Sequence, residues 1–381
     1  MPNPYLNVGE EALGCTIFAY RLMSDTVAGS AFGQPVRSGA GSERSRQPVF
    51  VMGCHRSGTN FLYDTLLSAG GFAVYRGYLP VYKILIPRFG HPSDPRNRTR
   101  IVDAWMRSKG FARTDLDPAH LSSRLMAESH TGGDFIRIVM DEVARQQGVK
   151  RWAVYDPDDV LHIPRIKADL PDALFVHIIR DGRDIALSLM KMGEFRPFPW
   201  SRKPRGLLET ALYWEWMVRT GRRHGRQIPA DYIEVHYEDL VNDPRRTLAT
   251  LGEFLDHDLD YNRIQSTGLG RLSESNSSFL DEANQTRRNP VNRWKERLSD
   301  QEITELEALV GPSLEESGYQ LTTVAQRRVG LLHRWLAAAY PRFLDAKLWL
   351  RLHTPVGRFA NLSALELSPS GQKNDPDSAI G

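Results

Sequence analysis

Pro48-Val49-Phe50-Val51-Met52-Gly53-Cys54-His55-Arg56-Ser57-Gly58-Thr59-Asn60-Phe61-Leu62 is an apolar run, a turn bounded by glycines and the opening of a helix. Strand, turn and helix in that order aim backbone N–H groups and a helix dipole at one spot, where an anion is stabilised. Gly53 and Gly58 have the spacing of a Walker phosphate loop, but Thr59-Asn60 stands where that loop has Lys and Ser/Thr. The full cation inside the turn is Arg56. The turn therefore reads as a holder of an anionic group without the usual apparatus for magnesium and a γ-phosphate.

The same alternation continues outward. Residues 49–52 read as the first strand and 57–68 as its helix, ended by Ala69-Gly70-Gly71. Residues 72–130 hold helical pieces broken by Pro80, Pro87 and His91-Pro92-Ser93-Asp94-Pro95, and read as an insertion over the sheet rather than part of it. A helix is expected over 134–147 and a strand over 152–155. Ala173-Leu174-Phe175-Val176-His177-Ile178-Ile179 is almost wholly apolar, as in a parallel strand buried on both faces. Helices over 183–191 and 207–224, a strand over 232–237 and a helix opened by Asp243-Pro244 follow. Residues 261–293 read as polar and irregular. Ser299 and Glu302 form a capping box for a helix that ends at Gly318. Residues 1–47 read as an N-terminal extension and flexible linker, 48–320 as the main domain, 321–363 as a basic, aromatic helical extension, and 364–381 as a disordered tail. The fold class is α/β: a mostly parallel central sheet flanked by helices, a P-loop-like three-layer sandwich. Ligands of such folds bind beyond the carboxyl ends of the strands.

Composition narrows the classes. The 381 residues are 41% hydrophobic and 25% charged, with a net charge of +3, so bulk charge does not point to nucleic acid. Cys15 and Cys54 are too few for a disulfide framework or a zinc site, and no metal-ligand cluster is visible. No apolar run is long enough to span a membrane and the N-terminus has no secretory pattern, which points to the cytoplasm.

A second constellation is Arg180-Asp181-Gly182-Arg183-Asp184-Ile185-Ala186-Leu187-Ser188. An arginine at the end of a buried strand and a hydroxyl about two turns into the next helix suit a second anion. Together the two motifs resemble the sulfotransferases that use 3′-phosphoadenosine 5′-phosphosulfate (PAPS). The resemblance implies that Arg56, Ser57, Gly58, Thr59 and Asn60 hold the 5′-phosphosulfate, and Arg180 with Ser188 the 3′-phosphate. Val235-His236-Tyr237-Glu238-Asp239-Leu240-Val241, followed by Asp243-Pro244, resembles the family's strand-to-helix segment and adds Tyr237 to the nucleotide site. Arg287-Arg288-Asn289-Pro290-Val291-Asn292-Arg293-Trp294-Lys295 resembles the mobile loop over the nucleotide, adding Arg288, Asn292 and Lys295. The resemblance covers roughly residues 48–320, and its motif layout is similar to that of the protein-tyrosine branch and many bacterial members. It implies in-line sulfuryl transfer to a hydroxyl or amine acceptor, small molecule, glycan or peptide, with Arg56 and Lys295 taking developing charge and no metal.

The chain also departs from that pattern. Arg76-Gly77 stands where the protein-tyrosine enzymes have a catalytic glutamate, and Tyr155 where they have a lysine before Asp-Pro. The candidate bases are then His55, in the loop itself, and His130 and Asp156. The insertion and residues 194–206 are expected to line the acceptor pocket, with Phe72, Tyr75, Tyr78, Tyr82, Phe195 and Trp200 as its aromatics. Two other readings stand beside this one: a P-loop-like nucleotide kinase or NTPase, which lacks the Walker lysine and a Walker-B acid, and a catalytically impaired nucleotide-binding protein. The stretch 325–352, with Arg327, Arg328, Arg334, Arg342 and Arg351 among Leu, Trp and Tyr, reads either as a helix lying on an anionic membrane or as one packed on its own domain.

Overall fold

The computed structural model describes residues 43–192, 206–267, 291–322, 331–365 and 367. All of them belong to one compact unit, 41–381. Its centre is a five-stranded sheet of β1 (Val49–Gly53), β2 (Phe72–Ala73), β3 (Arg151–Tyr155), β4 (Leu174–Ile179) and β5 (Tyr232–His236). The order is β2-β3-β1-β4-β5 and every pairing is parallel. The register sets Val49 beside Ala153 and Leu174, and Gly53 beside Ile178.

The helices, in chain order, are α1 (Thr59–Ser68), α2 (Pro95–Met106), α3 (Pro118–Glu128), α4 (Gly132–Gln146), α5 (Ile163–Asp169), α6 (Gly182–Met192), α7 (Leu207–Gly225), α8 (Tyr237–Asn242), α9 (Pro244–Leu255), α10 (Tyr261–Thr267), α11 (Asp300–Glu316) and α12 (Leu331–His353). Period-two alternation divides the strands between two apolar layers. Phe50, Met52 and Phe175 face one layer, with Trp214 of α7 and Val139 of α4. Val49, Val51, Val176 and Ile178 face the other, with Leu62 and Leu66 of α1 and Leu251 of α9. His177, the polar residue inside β4, is fully buried and bonds the Tyr232 hydroxyl at 2.6 Å. Burial lowers its pKa to about 4, so it stays neutral.

Three details depart from the expected layout. The segment read as an insertion begins inside the sheet, because Phe72–Ala73 pairs with Arg151 and Trp152 as an edge strand. It is too short for a periodicity signal. Helix α1 starts at Thr59, two residues later than expected, because Gly58 takes a left-handed conformation (φ 98°) at its N-cap. The region read as irregular opens with α10 over Tyr261–Thr267. The expected capping box is present: Ser299 accepts from the Glu302 N–H while the Glu302 carboxylate takes the Ser299 N–H. No described helix is long and apolar enough to cross a membrane.

Candidate active site

Four parallel strands deliver their carboxyl ends to one edge of the sheet: β1 gives the 54–58 turn, β3 gives Asp156, β4 gives Arg180, and β5 gives Tyr237 and Glu238. The edge lies at adjacent β1 and β4, whose following connections run to opposite sides of the sheet, to β2 and to β5, the usual place for a ligand crevice.

The 54–58 turn is held from within. Ser57 donates both its N–H (3.0 Å) and its hydroxyl (2.6 Å) to the Cys54 carbonyl. The amide donors of the first helical turn are therefore those of 58–60, while the Ser57 hydroxyl, expected as a phosphate donor, is engaged inside the turn. A Cβ on Gly58 would come within 2.6 Å of the Tyr237 ring, so only glycine lets β5 close over the turn. Thr59 is buried at the helix start and Asn60 is exposed beside it. Cys54 is buried, and burial followed by the charge of Asp158 pushes its thiol well above the usual range. It fills space rather than attacking.

Arg56 has φ 72°, a left-handed conformation unusual for a side-chain-bearing residue. Its Nε donates to Ser188 Oγ at 3.1 Å, and Arg180 Nη1 donates to its carbonyl at 3.3 Å. The two motifs thus meet in space across 132 residues. Arg180 stands over the Tyr237 ring at 4.5 Å, and Asp184 lies 3.7 Å from its Nη2. Trp214 Nε1 donates to the Arg180 carbonyl at 3.0 Å, and Gly182 packs so closely on that indole that a Cβ would lie 2.5 Å from it. Burial, then the nearby Arg180 charge, lowers the pKa of the Arg56 guanidinium. Two cations crowd one half-buried spot, an arrangement that a bound anion relieves. Next to them a small cavity is lined by Arg180, Asp184, Ser188, Lys191 and Arg293.

A second cluster sits on the other side of the turn. His55 Nε2 lies 3.1 Å from Asp158 Oδ1, and Lys83 Nζ lies 2.7 Å from Asp158 Oδ2 and 3.7 Å from Asp156. Burial alone would raise the Asp158 pKa, but the Lys83 ammonium and the hydrogen bonds from His55 and Lys83 hold it well below the carboxylate range. Lys83 comes from a single wide π-helical turn, Val81–Leu85, within the segment that follows β2. Tyr155 carries no charge before Asp156, and the ammonium nearest that carboxylate among the described residues' ion pairs is that of Lys83. Asp156 caps the turn Pro157–Leu161 and accepts from the Tyr78 hydroxyl at 3.0 Å.

The other expected residues fall as follows. Asn292 has φ 61°, and, two residues on, the Trp294 N–H donates to the Asp184 carboxylate at 2.9 Å, docking this loop end on α6. Lys295 is exposed, its ammonium 5.5 Å from the Trp294 ring centre. His130 is exposed and its Nδ1 contacts Arg98 Nη1 at 3.1 Å, away from the His55 cluster. Arg76 pairs with Asp64 of α1. Of the expected pocket aromatics, Phe72 packs on His257 and Tyr82 donates to Asp169, so both serve the framework. Tyr75 lines a small cavity with Tyr63, Leu79, Tyr155 and Asp159. Arg288, Phe195 and Trp200 lie outside the described residues. Sequence reading missed Lys83, Asp158 and Lys191, and placed Arg293 in the nucleotide loop without giving it a role of its own. Lys191, one turn after Ser188 on α6, was the one with a helical-spacing signal.

No curated protein matches the sequence significantly. Similar solved structures include the sulfotransferase domain from the curacin biosynthetic pathway, at 15% identity over 72% of this chain and 98% of that one, with a TM-score of 0.45. Sulfotransferase STF9 from Mycobacterium avium is 17% identical over 73% and 78% of the two chains, with a TM-score of 0.40. Mouse sulfotransferase SULT7A1 complexed with PAP is 15% identical over 71% and 89%, with a TM-score of 0.39. The model of the sulfotransferase family matches residues 48–261, more than half of the chain and the stretch that holds all five strands and both arginine turns. The chain belongs to the sulfotransferase family.

Proposed function

We propose that the protein transfers a sulfuryl group from PAPS to a hydroxyl or amine acceptor, and that the edge described above is where it does so. The observation that carries the reading is the meeting of Arg56, Arg180 and Ser188 at the N-terminus of α1. Crowded guanidiniums, the first-turn amides and the adjoining cavity with Lys191 and Arg293 fit a ligand with two separated anionic groups. When bound, such a donor supplies an activated sulfuryl group carried on a phosphate leaving group, set up for in-line transfer.

The chain's own residues divide the remaining work. Arg56 and the amides of 58–60 hold and neutralise the phosphosulfate end. Arg180, Ser188, Lys191 and Arg293 hold the second phosphate, and Tyr237 shields Arg180 from water on one face. His55 accepts the acceptor's proton. With Nε2–H donated to ionised Asp158, the imidazole is fixed in the tautomer whose lone pair is on Nδ1. Lys83 is a positioning residue: its ammonium keeps Asp158 charged and in place.

Calorimetry with adenosine 3′,5′-bisphosphate against ATP with magnesium tests the donor. The bisphosphate is expected to bind and ATP to bind far more weakly; the reverse order removes the reading. His55→Gln tests the base. It should leave bisphosphate affinity unchanged and slow turnover about 100-fold or more, and near-full turnover would take His55 out of the role.

A further inference from the structure

Helix α12 presents its apolar residues to the wrong side for a packed surface helix. Its inner face is accounted for: Tyr340 and Leu344 are buried, Trp216 Nε1 donates to Asp345 at 2.8 Å, and Arg351 Nη2 donates to the Lys83 carbonyl at 2.5 Å. The opposite face should be polar. Instead Trp335, Ala346 and Trp349 recur there with Arg342 and His353 at helical spacing, all exposed. Trp335 is 66% and Trp349 56% exposed. Beyond the helix end, Val356 is 53% and Phe359 83% exposed. With Leu350, these make five of the six exposed large apolar residues among those described, so the apolar surface is concentrated on this one stretch.

The charge on the stretch is mainly positive. Arg342, Lys347 and Arg358 are exposed along it, against the exposed Asp345, whose Oδ1 accepts from Trp216 Nε1. Tryptophans interleaved with cations on one face suit the interfacial layer of a bilayer, where the rings sit at headgroup level and the cations meet anionic lipid. The helix is too polar to span, in line with an element that lies on the surface.

We infer that the outer face of α12 and the 355–359 turn form a docking surface for an anionic membrane, carrying the sulfotransferase at the lipid–water boundary. The inference is independent of the donor assignment. It is tested with the full chain by flotation on vesicles of phosphatidylcholine mixed with phosphatidylglycerol, against phosphatidylcholine alone. The wild type should float with the mixed vesicles and be released by salt. The variant Trp335→Ser/Trp349→Ser/Phe359→Ser should bind about tenfold or more weakly. Arg342→Gln/Arg358→Gln should lose about fivefold per cation on anionic vesicles only. All altered side chains are exposed, and unchanged thermal melting shows that each variant folds. Absence of flotation by the wild type overturns the inference, as does binding that neither variant weakens. Sedimentation velocity showing a dimer that the serine variant splits, with no vesicle binding, assigns the face to a second copy and overturns it too.

Discussion

Arg56 combines a left-handed backbone with a guanidinium set against that of Arg180, and both features have a cost in the unliganded protein. Arg56→Ala is expected to weaken adenosine 3′,5′-bisphosphate about 10–100-fold, the worth of one or two charge-assisted hydrogen bonds. Calorimetry that finds equal affinity would place the phosphate elsewhere. Glu238 is a buried carboxyl at this edge whose pKa the fold raises. It accepts from the Asp181 N–H and the Tyr319 hydroxyl, yet burial raises its pKa to about 7 from an ordinary 4.5. Between those values the folded chain holds more protons than the unfolded one, so this group's stabilisation is complete below pH 4.5 and is lost as pH rises through 7. The loss is about 1–3 kcal/mol, since the side chain keeps some contact with solvent. Denaturant unfolding should show Glu238→Gln gaining on the wild type at pH 8 and not at pH 4; an equal difference at both would rule out the titration.

At the scale of elements, the turn from β1 to α1 depends on Gly58. Its φ of 98° and the Tyr237 ring, which would lie 2.6 Å from any Cβ placed there, act together. Gly58→Ala brings about 1–2 kcal/mol of backbone strain and then forces β5 and the turn apart. A lowered melting temperature and loss of bisphosphate binding are expected, whereas a melt like that of the wild type would show that the turn gives way easily. The Val81–Leu85 turn works differently. It belongs to no sheet or long helix, but it carries Lys83 to Asp158 and is itself braced by Arg351 of α12. The segment beyond β2 thus contributes the Lys83 ammonium beside Asp158 as well as packing.

Across the whole molecule, one buried network ties the ends of the domain to the ligand edge. Arg183 of α6 pairs with Asp181 at 2.7 Å and Glu307 of α11 at 2.6 Å, and lies 3.8 Å over the buried Trp294 ring. Arg183→Met leaves two buried carboxylates without that cation. It should destabilise the fold by about 3–5 kcal/mol in denaturant unfolding; a change below about 1 kcal/mol would show the network to be dispensable. The strand–turn–helix at 48–62, the buried run of β4 and the Arg180–Ser188 spacing were legible in the sequence because each is local: periodicity, glycine spacing and a helical offset of two turns carry them. Those patterns determined an α/β fold with two arginine-bearing turns on one sheet edge. Sequence alone did not reveal β2, whose two residues have no period, nor the Lys83–Asp158–His55 cluster, whose members come from three separate segments of the chain. Nor did it show which side of α12 packs on the domain, the side of Tyr340 and Leu344. Tertiary packing decided these, because an ion pair, a strand edge and a helix's outer face exist only once distant segments have been brought together and one side of each has been covered.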